Sequence, residues 1–291
     1  SSGYDRREFL PQLQGQRASA VYREMVDNDA SVGSMMFIIE MMLRRVEWQV
    51  EPAGTDPEGA PSDEDMARAD FLTECMNDMS HSWDELVADA LTMLVYGYSF
   101  MEITYKRRGG PGEKVPAERR SDYTDGKIGW RKFTLIPQDT IQQWVLDEHG
   151  GVQAAQQWHG SGNVEIPIEK ALLFRTTRRN PTGRSVLRSA YRSWYAKKRI
   201  EEIEGVGMER DLAGLPLMYV EPDYLARHRS ELQDIIRNVR RDEQEGVLLP
   251  DIRDEQGNQL VTMSLLTSAG ERQFDTNAVI GRYTRNIVTC L

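Results

Sequence analysis

The sequence predicts an α+β chain in parts: a mixed helix-and-sheet region over its first 183 residues, one long helix, and a small β-α-β-β module that leads into a last helix. Three observations predict it. Helix signals crowd the first 97 residues, whereas short alternating runs fall between 98 and 175. Residues 184–213 contain no proline and repeat apolar residues every three to four positions. From 215 to 266 the pattern returns to short strands around a single amphipathic stretch. With 291 residues and 33.3 kDa, the chain makes one large domain or two to three smaller ones.

Residues 34–46 carry a dense Met/Phe/Ile/Leu face, run into an extended Trp48–Val50 and close at Pro52. A Gly/Pro/acid loop follows at 54–61. Ser62 and Asp65 start a helix through about Met76, and Ser82 with Glu85 forms a capping box for the next one. Leu86, Ala90, Met93 and Leu94 keep helical spacing until Gly97 stops it. Residues 98–106 then alternate, with Met101, Ile103 and Tyr105 on one side and Glu102 and Thr104 on the other. The basic stretch 107–120, with Gly109, Gly110, Pro111 and Gly112, reads as a mobile loop or a hairpin tip. Strands are expected at 130–136, 141–146, 152–158 and 172–174, and Asn180-Pro181-Thr182-Gly183 is a turn.

A helix over 184–213 would span about 45 Å at 1.5 Å per residue, against a usual mean of 11–12 residues. Its stripes are Leu187, Tyr191 and Trp194, then Ala196, Ile200 and Ile203. Such a helix needs neighbours along its whole length. Strands at 217–220, 247–249 and 260–266, a helix at 223–242 and a turn at 254–258 make the β-α-β-β module. Asp275 caps the last helix, whose face of Val279, Ile280, Tyr283, Ile287 and Leu291 runs to the last residue without a Gly or Pro stop. Residue 291 is therefore expected to be a cut in a longer chain.

Composition narrows the function classes. A bilayer span needs about 20 apolar residues; the longest nearly apolar run, 35–43, is interrupted by Glu40. No membrane role is expected, no secretory leader opens the chain, and Cys75 and Cys290 are too few for a disulfide framework, so a reducing intracellular setting fits. The net charge of −10 is segregated: residues 55–89 hold eleven acids against one arginine, whereas 175–199 hold nine Lys/Arg and no acid. Residues 105–132 hold nine basic against four acidic side chains. Such segregation points to surfaces with different partners, one of them a polyanion. His81, His149, His159 and His228 are remote from one another, and no nucleophile elbow, Walker lysine or dinucleotide fingerprint occurs. No catalytic residue, cofactor or metal is expected, and the chain is read as a non-enzyme.

Aromatics interleave the basic stretch at Arg188, Tyr191, Arg192, Trp194, Tyr195, Lys197 and Lys198. Lys/Arg neutralise phosphates and aromatics pack on sugars or bases. Helical spacing explains Tyr191 and Trp194 equally well as a packing stripe, with the charges lining a subunit contact.

The order of these features resembles the portal proteins of tailed bacteriophages, nearest the Mu-type branch. The resemblance is carried by Arg44, Trp48 and Pro52; by Tyr96-Gly97-Tyr98-Ser99 with Glu102 and Ile103; and by Pro167, Lys170, Phe174 and Arg175, then Pro181 and Gly183, then Trp194 and Lys197–Lys198. Ala213-Gly214-Leu215-Pro216 completes it. It covers most of the chain through short motifs in a shared order. It implies a portal-type α+β wing with a mixed sheet at 1–183, a first stem helix at 184–214, a β-α-β-β clip at 215–270 and the start of a second stem helix at 271–291. The crown and remaining wing would lie beyond residue 291. It further implies a ring channel at one capsid vertex, of probable twelve-fold copy number, that passes double-stranded DNA without sequence specificity during packaging and ejection and attaches the tail. The implied partners are the major capsid protein, the terminase and a head-tail adaptor. The implied location is the virion's portal vertex, and the host cytoplasm during assembly.

Within that frame, Leu187, Tyr191, Trp194, Ile200 and Ile203 are expected at the seam between stem helices. Arg192, Lys197, Lys198, Glu201, Glu202 and Glu204 are expected to face DNA, with Lys197–Glu201 and Lys198–Glu202 pairing at i, i+4 to keep the lining near neutral. Arg175, Arg178 and Arg179 should face outward. The alternatives are a two-metal nuclease or nucleotidyltransferase, which needs carboxylates gathered on one ion, and a scaffold that binds only protein.

Overall fold

A computed structural model describes residues 8–54, 59–160, 162–178, 180–213, 215–220, 222–240, 253, 261–266 and 275–291. The chain forms two compact units, Ser1–Arg192 with Asn286–Leu291, and Ser193–Arg285.

The first unit opens with helices α1 (Gly15–Asn28) and α2 (Ala30–Arg44), and Asp29 alone makes the corner between them. Its amide donates to the Met25 carbonyl, while its carboxylate accepts from the Ser31 and Val32 amides at 3.0 and 3.2 Å. Helices α3 (Asp63–Asn77) and α4 (Trp83–Tyr96) begin at the two expected capping boxes, Ser62/Asp65 and Ser82/Glu85. Gly97 ends α4 in the left-handed conformation, φ 92°. The extended Trp48–Val50 joins no sheet; an isolated bridge between Gly54 and Pro61 is the nearest strand-like pairing.

Six strands follow: β1 (Tyr98–Arg107), β2 (Ile128–Ile136), β3 (Ile141–Leu146), β4 (Val152–His159), β5 (Gly162–Pro167) and β6 (Ala171–Arg175). The α+β class holds, but in place of one mixed sheet they form two antiparallel ones, ordered β2-β1-β6 and β3-β4-β5. Prolines cause the split. Pro137, before a 3-10 turn at Gln138–Thr140, carries the chain out of the first sheet; Pro167, before Ile168–Lys170, carries it back. Strand β1 is buried on both faces at Tyr98–Met101. On one side Tyr98 and Phe100 meet Trp144 edge-on at 5.4 and 5.5 Å, within a core shared with Ile136, Ile141, Ala155 and Ile166. On the other side Met101 packs with Phe133 and Leu86 of α4.

The basic connection from β1 to β2 is the tip of a hairpin, the second of its two expected readings, and it is anchored. Lys106 and Asp78 form a buried ion pair at 3.1 Å; Ser121 donates to the same carboxylate at 2.6 Å and the Asp122 amide at 3.1 Å. The Lys106 ammonium also donates to the Arg120 carbonyl at 2.7 Å. Arg108 lies between the Phe71 and Tyr123 rings, pairing with Glu74 and, at 3.2 Å, with Asp125. The acids of α3 thus hold part of the basic segment within the same unit.

The second unit contains most of α5 (Tyr191–Ala213), then β7 (Leu215–Val220), α6 (Pro222–Arg240), β8 (Val261–Leu266) and most of α7 (Thr276–Cys290). β7 and β8 pair antiparallel from Leu215↔Leu266 to Val220↔Val261, and α6 packs on β7. α6 bends at His228, whose backbone leaves the helical region and whose ring stacks on Tyr224. The expected strand at 247–249 and turn at 254–258 lie outside the described residues. Asp275 caps α7 as expected, accepting from the Ala278 amide at 3.1 Å.

The long helix starts at Tyr191, not at residue 184. The Ser185 hydroxyl accepts from the Leu187 amide at 3.0 Å and sets a 3-10 turn at Val186–Arg188. Leu187 is completely buried, which fixes that turn. At 23 residues α5 is about 35 Å long.

Replacing Lys106 by Met should lower the unit's stability by about 3–5 kcal/mol, because it strands a buried carboxylate. A melting temperature within a degree or two of the parent would contradict the anchoring role.

Candidate functional site

The residues around the start of α5 are held by a backbone clasp. Gly97 ends α4, Thr176 follows β6 and Gly183 ends the turn before α5, and the three meet. The Gly97 carbonyl accepts from the Thr176 amide at 3.1 Å. The Thr176 hydroxyl accepts from the Arg184 amide at 2.8 Å and reaches the Arg184 and Gly97 carbonyls at 2.7 and 3.2 Å. Gly97 and Gly183 both have positive φ, and a Cβ on Gly183 would fall 2.0 Å from the Gly97 oxygen. Two glycines that the sequence places in separate motifs are therefore a single contact.

Beyond the clasp, Arg188 grips Glu8 with two donors, one at 2.9 Å, and the Tyr191 hydroxyl accepts from Gln12 at 3.2 Å. Partial burial opposes ionisation of Glu8, but hydrogen bonds from Arg188 and from the Leu10 amide outweigh it and hold the carboxyl below its ordinary 4.5. Burial pushes the nearby Tyr22 phenol up to about 12. A cleft of about 1260 Å³ lies here, lined by Tyr22, Tyr98, Gln138, Trp144, Thr176 and Arg184 among others.

Along α5 the structure divides the expected residues. Leu187, Tyr191 and Trp194, expected at a seam between stem helices, are buried within a single copy of the chain. Ile200 is half-buried, and Ile203, at 71 % exposure, and Val206 stand open. Lys197 is buried and makes the expected pair with Glu201 at 3.7 Å. Lys198 lies over the Trp194 ring, while Arg192 and Glu202 are exposed. Glu202 accepts from Arg199 at 2.9 Å, three residues earlier. Glu204 accepts from the Thr276 hydroxyl of α7. Among the described residues the basic surface of α5 is formed by the exposed Arg192 and Arg199 and the half-buried Lys198, with Tyr195 half-open under the Arg199 guanidinium. Tyr195 belongs to the interleaved aromatics of the sequence reading, whereas Arg199 does not stand among the expected DNA-facing residues; its i, i+3 spacing to Glu202 is the signal that finds it. Arg178 is exposed, Arg175 donates to the Asn180 carbonyl, and Arg179 lies outside the described residues.

Among the described residues, no group of three or more His, Cys, Asp or Glu is placed to hold a metal ion, and no helix is long and apolar enough to cross a membrane.

The family model described as the portal protein of Mu bacteriophage matches residues 19–242. Similar solved structures include a chain in the neck of a native gene transfer agent particle computed with C12 symmetry, with TM-score 0.53, 9 % identity, and coverage of 96 % of this chain and 69 % of that one. A chain in the virion of the native gene transfer agent particle gives TM-score 0.51 and 9 % identity, covering 93 % of this chain and 66 % of that one. One in the neck of an empty particle computed with C6 symmetry gives TM-score 0.51 and 10 % identity over 93 % and 67 %. The chain spans about two thirds of the length of these neighbours, and at such identities the likeness is one of fold.

Gly183→Ala should destabilise the first unit by more than about 1 kcal/mol, since it adds left-handed strain to a backbone collision; an unchanged melting temperature would refute the clasp. Because Glu8 titrates lower folded than unfolded, its contribution is complete above 4.5 and is lost as pH falls through the folded value. Glu8→Gln should therefore lower the melting temperature at pH 7 and leave it unchanged near pH 2. An equal loss at both pH values would show that Glu8 acts through packing.

Proposed function

The chain belongs to the portal-protein family of Mu bacteriophage, and from that premise we propose that it assembles into a closed ring, twelve-fold, at one capsid vertex and passes double-stranded DNA through its lumen without reading sequence. The observation that carries this reading is the family match over residues 19–242. A particle neck with C12 symmetry among the structural neighbours supports the ring and its copy number. The site's chemistry agrees: the exposed face of α5 offers a paired charge, Arg199–Glu202, where a row of unpaired cations would grip phosphates and act as a brake.

In this reading residues 1–183 are wing, 184–214 carry the first stem, with its helix from Tyr191, 215–270 are the clip and 271–291 begin the second stem. The wing meets the major capsid protein, the clip meets terminase during packaging and the head-tail adaptor afterwards, and the protein hydrolyses nothing itself. Assembly takes place in the host cytoplasm and the finished ring resides in the virion.

Reversing Lys198 and Arg199 together to Glu, while sparing the buried Lys197, should leave ring yield intact and shorten the packaged DNA or slow its ejection. Normal rings with normal packaging and ejection would contradict a lining role for this face.

A further inference from the structure

Helix α2 is apolar nearly all round. Its inner side, Val32 and Met36, is buried within the first unit. Its outer side carries Phe37 and Ile38, with Met41 and Met42 one turn on, and of these Phe37 is 62 % and Met42 58 % exposed. Val46 and Trp48, both half-open or more, continue the strip past the helix end. The helix's two charged side chains, Glu40 and Arg44, pair with each other at 3.5 Å, and Arg44 also pairs with Asp84 of α4. A helix that is apolar on every side is one that is buried on every side, and here this chain covers only one of them.

We infer that this outer strip of α2 is one side of the seam between successive copies of the chain, an inference that rests on the ring reading above. Three features fit that occupant. A closed ring joins two different faces of each subunit, so every copy must carry an apolar face that a neighbour covers. The strip exposes on the order of 500 Å² of apolar surface, a large part of the roughly 800 Å² that each partner contributes to a stable interface and near the upper end for a patch on a free monomer. Its rim carries no excess positive charge, because Arg44 is taken up by Glu40 and Asp84 and the exposed Arg45 is matched by Glu47; a polyanion gains nothing on such a surface, whereas a folded protein face with its own apolar patch does. The strip also explains why the densest apolar run in the sequence, 35–43, occurs in a helix only partly used by the core of its own unit.

The test pairs a double substitution, Phe37→Asp with Met42→Asp, with a photo-crosslinking residue placed at position 42 of the otherwise unchanged chain. Native mass spectrometry should show parent rings and at least about a tenfold loss of rings in the double variant. The variant's melting curve should show that its subunits stay folded, and the crosslink should join two copies of this chain. Rings that survive the double substitution, or a crosslink that stays within one chain or captures only a different protein, would overturn the seam while leaving the ring standing. A parent chain that forms no ring would overturn the ring reading and the seam with it.

Discussion

The contact between Gly97 and Gly183 is the constraint on which the rest of the first unit depends. Two backbones approach so closely that neither position has room for a side chain, and Thr176 ties both to the end of β6. Three separate stretches are fixed by one junction: the end of α4, the last strand of the first sheet and the turn ahead of α5. Leu187 and Tyr191 can therefore bury themselves in the first unit, and the helix can emerge at a defined residue.

Charge segregation in the sequence acquires two meanings. Part of it is internal: the acids of α3 and the turn after it receive Lys106 and Arg108, so one acidic and one basic stretch neutralise each other and pin a twenty-residue connection. Part of it remains on the surface, along α5, where Glu202 partners Arg199 one turn back. The same arithmetic of opposite charges thus yields an anchor where it is buried and a weak, slippery surface where it is exposed.

Local signals in the sequence were legible and long-range ones were not. Both capping boxes, the Gly97 stop and the strand at 141–146 follow from neighbouring residues, and each stands as read. The single sheet became two because Pro137 and Pro167 act as exits, a consequence that alternation alone does not reveal. The start of α5 was set too early since periodicity cannot distinguish a buried 3-10 turn from helix; burial of Leu187 decides it. Of the site, the i, i+4 pair Lys197–Glu201 was visible, but the depth of Lys197 was not, because it depends on what packs over the helix. Thr176 carries no local pattern at all; its partners lie 79 and 8 residues away.

The central claim is that this chain builds a closed ring whose first stem helix surrounds the DNA path. Electron cryomicroscopy of the assembled protein tests it most directly. The account predicts a hollow ring of twelve copies with α5 nearest the axis and Lys198 and Arg199 facing the lumen. A monomer or dimer, or a ring with α5 on its outer wall, would contradict it.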